Sequence, residues 1–456
     1  MAKGSQELQA MGHHIPSQIG EKIESQGLIG FELEKLGGFG FVETVVEGMA
    51  NMNPERKARR QIFLADSSKK EERADLLKNI KLWLELLESG ASIEELIQQY
   101  KQKSSQAVSS LKDNLKQALN QCRELEVNYR TIAQFYKNTG LDKVDNVHLI
   151  NASMEQITDL DNPLFINYIA KEFTLYYDRL DLRDNYSLLA IPGYMGSNKI
   201  VDKWAKICNE NKVMLITDFA NLDKPDDVVD LFYSANLTSG EVHKSNVIMT
   251  CNWLVGRGRA EDVGEEEDVF IAPSTSLTGK IHRTLMSQVA AGKKHGGINE
   301  VDAVKFELKK SEISQLEKMG LVPMVNEYGK IMAFSAKTLF DGDNIGLQTY
   351  SVVRVFDYVT KVLLDFLNRR AFENWSAKTE DDLRKQIVVF LDGIKGADKL
   401  IEKFKIVRFE QDKQQKDRVW LDIRLTPYFP AKSFVIKLDG HKGADGNEWE
   451  AEYLQE

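Results

Sequence analysis

The sequence predicts an α/β chain in three parts: an N-terminal helical region, a central sheet covered by helices on both faces, and a C-terminal α+β domain. Three observations carry this reading. Helical periodicity without a strand pattern runs to about residue 145, and from Val144 short apolar runs alternate with amphipathic helices. Beyond the acidic loop at residues 257–268, strands and helices no longer alternate. The expected boundaries are 1–145, 146–302 and 303–456.

In the first part, Phe41, Val45, Val46 and Met49 form one side of a short helix, after a polar, Gly-rich start. Helices follow over 68–88, with a stripe of Leu76, Ile80, Trp83, Leu84 and Leu87, and over 92–100. A longer one runs over 104–139. There Leu111, Leu115, Ala118, Cys122, Leu125, Tyr129, Ile132 and Tyr136 alternate spacings of four and three, and Gly140 supplies a stop. Such a seam packs on its own domain or zips against a partner's helix.

In the second part, Asn162 and Pro163 open a helix reaching about residue 180. YSLLAIPGY, VMLITDF and NVIMTCNWLV read as strands, separated by a helix capped at Ser197 and another carrying Val228, Val229, Leu231 and Phe232. That rhythm implies a mostly parallel sheet. In the third part, a strand near Phe306 and a helix from Ser311 to a stop at Gly320 precede a hairpin over 321–339. Helices over 348–372 and 379–392 and strands over 404–409, 418–425 and 433–438 complete the domain.

Composition narrows the function. The chain has 456 residues, 42% hydrophobic and 28% charged, with net charge -9, which does not recommend nucleic acid or an anionic membrane as partner. The basic string ERKARR at 55–60 reads as a solvated helix start. Cys122, Cys208 and Cys251 form no CxxC pair and read as reduced, buried thiols of a cytosolic protein. The first residues lack a signal-peptide core, and no apolar run approaches the roughly 18 residues of a spanning helix, so the expected location is cytoplasmic, without membrane insertion.

Motifs for chemistry are incomplete. STSLTGKI at 274–281 has Gly279-Lys280, but Ser274 replaces the first glycine of a phosphate loop and Ile281 the metal-binding hydroxyl. None of the seven histidines stands in a metal-ligand spacing, and the run 265–268 lacks the alternation and Gly turn of a calcium loop. The reading is of a chain without catalytic residues, cofactor or metal. The alternative is an α/β nucleotide-binding hydrolase with its site near residues 192–199 and Asp218.

A family resemblance enters through the last third. ELKKSEISQLEKMGLVPMV (307–325), KIMAFSAKTLF (330–340), YSVVRVFDYVTKVLLDFLNRRAF (350–372), DLRKQIVVFLDGI (382–394), KIVRFE (405–410) and RVWLDIRLTPYFPAKSFVIKL (418–438) stand in family order, with an L-x-P-aromatic corner at Leu425, Pro427 and Tyr428. This resembles the large subunit of the type VI secretion contractile sheath (the TssC or VipB type) and, more distantly, phage tail sheath proteins. Residues 186–256 resemble the family's central strand–helix–strand region. The resemblance implies a C-terminal sheath domain and a heterodimer with a small sheath subunit. It also implies helical polymerisation around an inner tube, contact with a baseplate, and indirect recycling by a AAA+ ATPase.

Three residue sets are candidates for those contacts. The seam Leu111, Leu115, Cys122, Leu125, Tyr129, Ile132 and Tyr136 is a candidate for the partner helix. On the helix from Gln348, Val352, Val355, Phe356, Val359, Val362, Leu363 and Phe366 form an apolar stripe. Its opposite face carries Arg354, Asp357, Lys361, Asp365 and Arg369, either a salt-bridged solvent face or one that grips the tube. The tail EWEAEYL alternates Trp449, Ala451 and Tyr453 with glutamates behind a Gly-rich tether, the period of a half-buried strand. With Phe434, Ile436 and Leu438 it is a candidate for strand exchange; otherwise it folds back on its own domain or stays a disordered acidic tail.

Overall fold

A computed structural model of the chain describes residues 54–88, 92–432, 435–442 and 447–454. The helix expected around Phe41–Met49 and the candidate Phe434 lie outside the described residues. Two units divide the chain, 1–107 and 108–456.

In the first unit, α1 (Pro54–Ala65) carries the basic string as its opening turns, and α2 (Lys70–Glu88) follows. The Asp66 carboxylate turns the chain between them by accepting the Ser68 amide at 2.8 Å, and Glu71 and Glu72 suit the positive end of α2. The helix α3 (Ile93–Asn138) begins with a reciprocal cap: Glu95 accepts from the Ser92 amide at 3.0 Å and Ser92 Oγ from the Glu95 amide at 3.3 Å. It runs unbroken for 46 residues, where two helices were expected. The connecting KQKSS holds neither Gly nor Pro, and Lys and Gln are good helix formers, so nothing ends the first helix.

The second unit proceeds through α4 (Met154–Thr158), α5 (Leu164–Tyr177), β1 (Leu188–Ile191), α6 (Asn198–Glu210), β2 (Met214–Asp218), α7 (Pro225–Ala235) and β3 (Val247–Cys251). Next come β4 (Leu254–Arg257), β5 (Val269–Ile271), α8 (Pro273–Arg283), α9 (Gly292–His295), β6 (Ala303–Val304) and α10 (Lys310–Lys318). Then follow β7 (Leu321–Glu327), β8 (Lys330–Ala333), α11 (Tyr350–Arg369), α12 (Ala377–Gly393), β9 (Ile401–Gln411), β10 (Val419–Pro427), β11 (Val435–Lys442) and β12 (Asn447–Leu454).

The main sheet has the order β1-β2-β3-β7-β8, the first four strands parallel. It continues past residue 303, because β7 pairs with β3. Every residue of β2 and β3 is buried, as expected of a parallel strand covered on both faces. Alternate residues feed two cores: Leu215, Val247 and Met249 join Phe173, Trp204, Phe232 and Leu316, while Met214, Ile216 and Ile248 join Leu277, Ile281 and Tyr350. The edge strand β8 returns antiparallel through Tyr328 and Gly329, both at positive φ (55° and 71°), the twist that suits a two-residue hairpin.

NVIMTCNWLV is not one strand. Asn252 takes φ 65° and splits it into β3, in the main sheet, and β4, central in the small sheet β5-β4-β6. Its side-chain amide donates to the Phe306 and Met324 carbonyls, both at 2.8 Å, which fixes the break. A third core joins α11 and α12 to β9 and β10 through Val355, Val359, Leu383, Ile387, Leu391 and Phe409.

Candidate assembly surfaces

The portion of α3 in the second unit inverts the usual arrangement of an amphipathic helix: its polar side faces the protein and its apolar seam faces outward. Leu111, Leu115, Cys122, Leu125, Tyr129 and Ile132 are exposed, Leu125 and Tyr129 at 70% and 74%, and Tyr136 is half-buried. Cys122 therefore departs from the expected buried thiol, whereas Cys208 and Cys251 are buried.

The inward side is held by a charge network. Arg257 grips Glu126 with Nε and Nη2 at 2.9 and 3.0 Å, and grips Glu265 with Nη1 and Nη2 at 2.8 and 3.1 Å. Arg123 reaches Glu265 at 2.9 Å, and Arg130 donates to Glu126 at 2.8 Å and to the Gly256 carbonyl at 2.9 Å. The hydrogen bonds from Arg257 hold the Glu265 carboxyl down to about 2. The acidic loop 257–268 thus holds a buried glutamate. Arg123 lies 142 residues from Glu265 and Glu126 lies 131 from Arg257, separations that local pattern cannot bridge.

Toward its end α3 is locked to α8 and to the strap after α9. Ser276 Oγ donates to Gln134 at 3.0 Å, the Asn299 amide donates to Asn138 at 2.8 Å, and Thr139 Oγ1 meets His282 Nδ1 at 2.7 Å. Gly279 explains the near-match to a phosphate loop. It sits inside α8, and a Cβ there would lie 2.5 Å from the Phe135 carbonyl oxygen. Its lack of a side chain lets the two helices touch. Gly279→Ala is expected to cost about 3 kcal/mol through overpacking, read as a lowered denaturation midpoint with faster amide exchange at residues 131–138.

The charge ladder on α11 is not an open face. Asn246 donates to Asp357 at 2.9 Å, Lys361 Nζ donates to the Tyr186 carbonyl at 2.6 Å, and the Leu182 amide donates to Asp365 at 3.0 Å. Arg354, Asp357, Lys361 and Asp365 are half-buried; Arg369, paired with Asp365, is exposed. Burial lowers Arg354 to about 10 and Lys361 to about 8, and raises Asp357. Within this chain α11 is wedged between two layers, with Val352, Val355 and Val359 buried on the stripe side and the ladder against residues 180–186 and 246. Phe356, assigned to the stripe, is exposed.

At the chain's end β12 pairs antiparallel with β11, Ile436 opposite Tyr453 and Leu438 opposite Ala451, as a two-stranded sheet of its own. Within this chain the tail strand therefore folds back, and Trp449 lies opposite Gly440.

The aspartate of the site suggested for a hydrolase is closed off. Asp218 is wholly buried, and its oxygens accept the Gly193 amide at 2.8 Å, the Ser274 amide at 2.7 Å, Ser274 Oγ at 2.6 Å and the Thr250 hydroxyl. One cluster escaped the sequence reading. His243 Nε2 contacts Asp202 and lies 3.3 Å from Glu241. Lys206 bonds the same Asp202 at 2.8 Å and Lys244 lies 3.9 Å from it, so ammonium groups supply the positive charge a cation would.

The fold is thus that of an α/β protein whose long helix is anchored by its charged side and, among the described residues, leaves its apolar side exposed. The chain belongs to the TssC/VipB family. The type VI secretion system TssC/VipB central domain matches residues 117–341, the TssC/VipB-like C-terminal domain residues 349–455, and the TssC/VipB-like N-terminal region residues 30–115. It is accordingly a structural subunit of a type VI secretion contractile sheath, and the nucleotide-hydrolase reading is not supported.

Among solved structures, the chain is similar to one in the anti-feeding prophage baseplate at 15% identity and TM-score 0.49, covering 68% of this chain and 79% of that one. It is also similar to the contracted helical sheath of the anti-feeding prophage, at 15% identity and TM-score 0.45, covering 66% and 78%. A sheath tail protein from Desulfitobacterium hafniense matches at 11% and TM-score 0.41, covering 64% and 60%. No curated protein matches. Among the described residues, no helix is long and apolar enough to cross a membrane.

Proposed function

We propose that the chain is the large, non-enzymatic subunit of its sheath and works in the cytoplasm. It pairs with a small sheath subunit through the α3 seam, and the heterodimers stack around an inner tube on a baseplate. The sheath contracts to propel the tube, and a AAA+ ATPase recycles it. The observation that carries this reading is the uncovered seam, since an apolar stripe of this length on an anchored helix gains free energy only when another surface covers it. The β11–β12 hairpin supports a further contact: a two-stranded sheet is marginal alone, and its free edges can pair with a neighbour's strand.

Leu115→Asp with Leu125→Asp tests the seam. Each buried leucine contributes about 2 kcal/mol to association, so the pair should weaken partner binding about a thousandfold and abolish co-purification. Because both side chains are exposed, the chain's own midpoint should move by less than about 0.5 kcal/mol per site. Retained partner from a folded double mutant would remove the seam as the contact, and retained partner with an unfolding chain would reassign it to the internal core.

A further inference from the structure

A recess of about 390 Å³ in the second unit gathers four lysines from three elements. Lys280 comes from the last turn of α8, Lys293 and Lys294 from α9, and Lys330 from the start of β8. On a chain of net charge -9 this is a local inversion of sign. The one carboxylate in the lining, Asp302, already accepts the Gly258 amide at 3.2 Å. Among the described residues, the ammonium groups of Lys280, Lys294 and Lys330 have no ion pair or hydrogen bond, and Lys293 lies 5.3 Å from the centre of the Tyr328 ring.

Lys280 is half-buried, and burial, then Arg283 and Lys330, depress its proton affinity. Crowded cations without a counter-charge destabilise the fold, and a multivalent anion relieves that repulsion at several lysines together. The wall of the recess includes Asn299, whose backbone amide and side chain hold Asn138 and the Lys137 carbonyl at the end of α3.

We propose that this recess binds a polyvalent oxyanion of the phosphate class, held by Lys280, Lys294 and Lys330. Among the described residues the lining contains no aromatic side chain, and the neighbouring Tyr328 ring already faces Lys293, so the phosphates alone are recognised, whether free or esterified, and a nucleoside base adds nothing. An occupied recess ties α8, α9 and β8 together beside the anchor of α3, which makes the anion a stabiliser of the seam helix.

The test is titration of the full-length chain with inorganic tripolyphosphate, by calorimetry and thermal denaturation, with sodium chloride of equal ionic strength as control. Saturable binding with a rise in Tm is expected. Lys280→Met and Lys330→Met should each weaken binding at least tenfold. Without anion, Lys280→Met should be as stable as the natural chain or more so, since it removes an unpaired cation. Equal binding in both variants, or the same Tm rise with chloride, would reduce the effect to non-specific charge and overturn the proposal. A Lys280→Met chain destabilised without anion would make the lysine structural and would overturn it equally. ATP should bind no more tightly than tripolyphosphate; binding more than tenfold tighter would overturn recognition through phosphates alone.

Discussion

Asp218→Ala is expected to cost the main sheet about 4 kcal/mol and to take much of the chain out of solution, because it strands the buried Ser274 amide, the part-buried Gly193 amide and two hydroxyls. The carboxylate joins four separate pieces: the turn after β1, the end of β2, Thr250 in β3 and the first turn of α8. Asp218→Asn is the milder probe. Hydroxyl groups can turn to accept from an amide NH2, but backbone amides cannot. Either amide orientation therefore leaves the Gly193 or the Ser274 N–H without an acceptor, about 1–3 kcal/mol at neutral pH.

The pH dependence carries the sign. Burial raises the Asp218 carboxyl from 3.8 to about 6, against the hydrogen bonds that lower it. The folded chain thus binds more protons than the unfolded chain between those values, so this group's contribution falls as pH rises from about 4 to 6 and is flat above. The stability gap between the natural chain and Asp218→Asn should widen by up to about 3 kcal/mol on going from pH 7.5 to pH 4. Urea midpoints of both proteins across that range check it; a constant gap would mean that Asp218 titrates normally.

The strands of the main sheet were legible because both of its faces are covered, which turns β2 and β3 into unbroken apolar runs. The same continuity hid the break at Asn252, since one left-handed residue interrupts a strand without interrupting its hydrophobicity. The α3 seam was visible in its spacing, yet spacing says nothing about which side of a helix is covered. That is decided by Arg257, Glu265 and Arg123, which meet only in three dimensions. Asp218 and Ser274, 56 residues apart, were likewise noticed singly and not as a pair. The resemblance rested most fully on residues 307–438, whereas the family match begins at residue 30, in a region whose polar helices offer few distinctive strings.

Lys361→Glu is expected to destabilise the chain by about 3–5 kcal/mol, whereas Arg369→Glu should cost less than about 1. Lys361 donates to the Tyr186 carbonyl, and Asp357 lies close enough to raise its proton affinity; a glutamate there would face a carbonyl oxygen and a second carboxylate with no donor of its own. Arg369 is exposed, and its reversal breaks only an i,i+4 pair with Asp365, which keeps the Leu182 amide. The burial of Lys361 has its own signature. Its ammonium titrates at about 8 when folded, against an ordinary 10.5 when unfolded, so stability from this group should rise with pH between those values, as the unfolded chain holds the proton longer. Lys361→Met should remove that rise. The difference separates the two readings of the ladder: if the charges grip the inner tube, Lys361→Glu and Arg369→Glu should fold alike and both assemble empty sheaths. If they hold α11 in its own subunit, Lys361→Glu should fail in denaturation before any assembly is attempted. Only Arg369 then remains accessible enough to touch the tube, and tube-filled sheaths from Arg369→Glu would remove it as well.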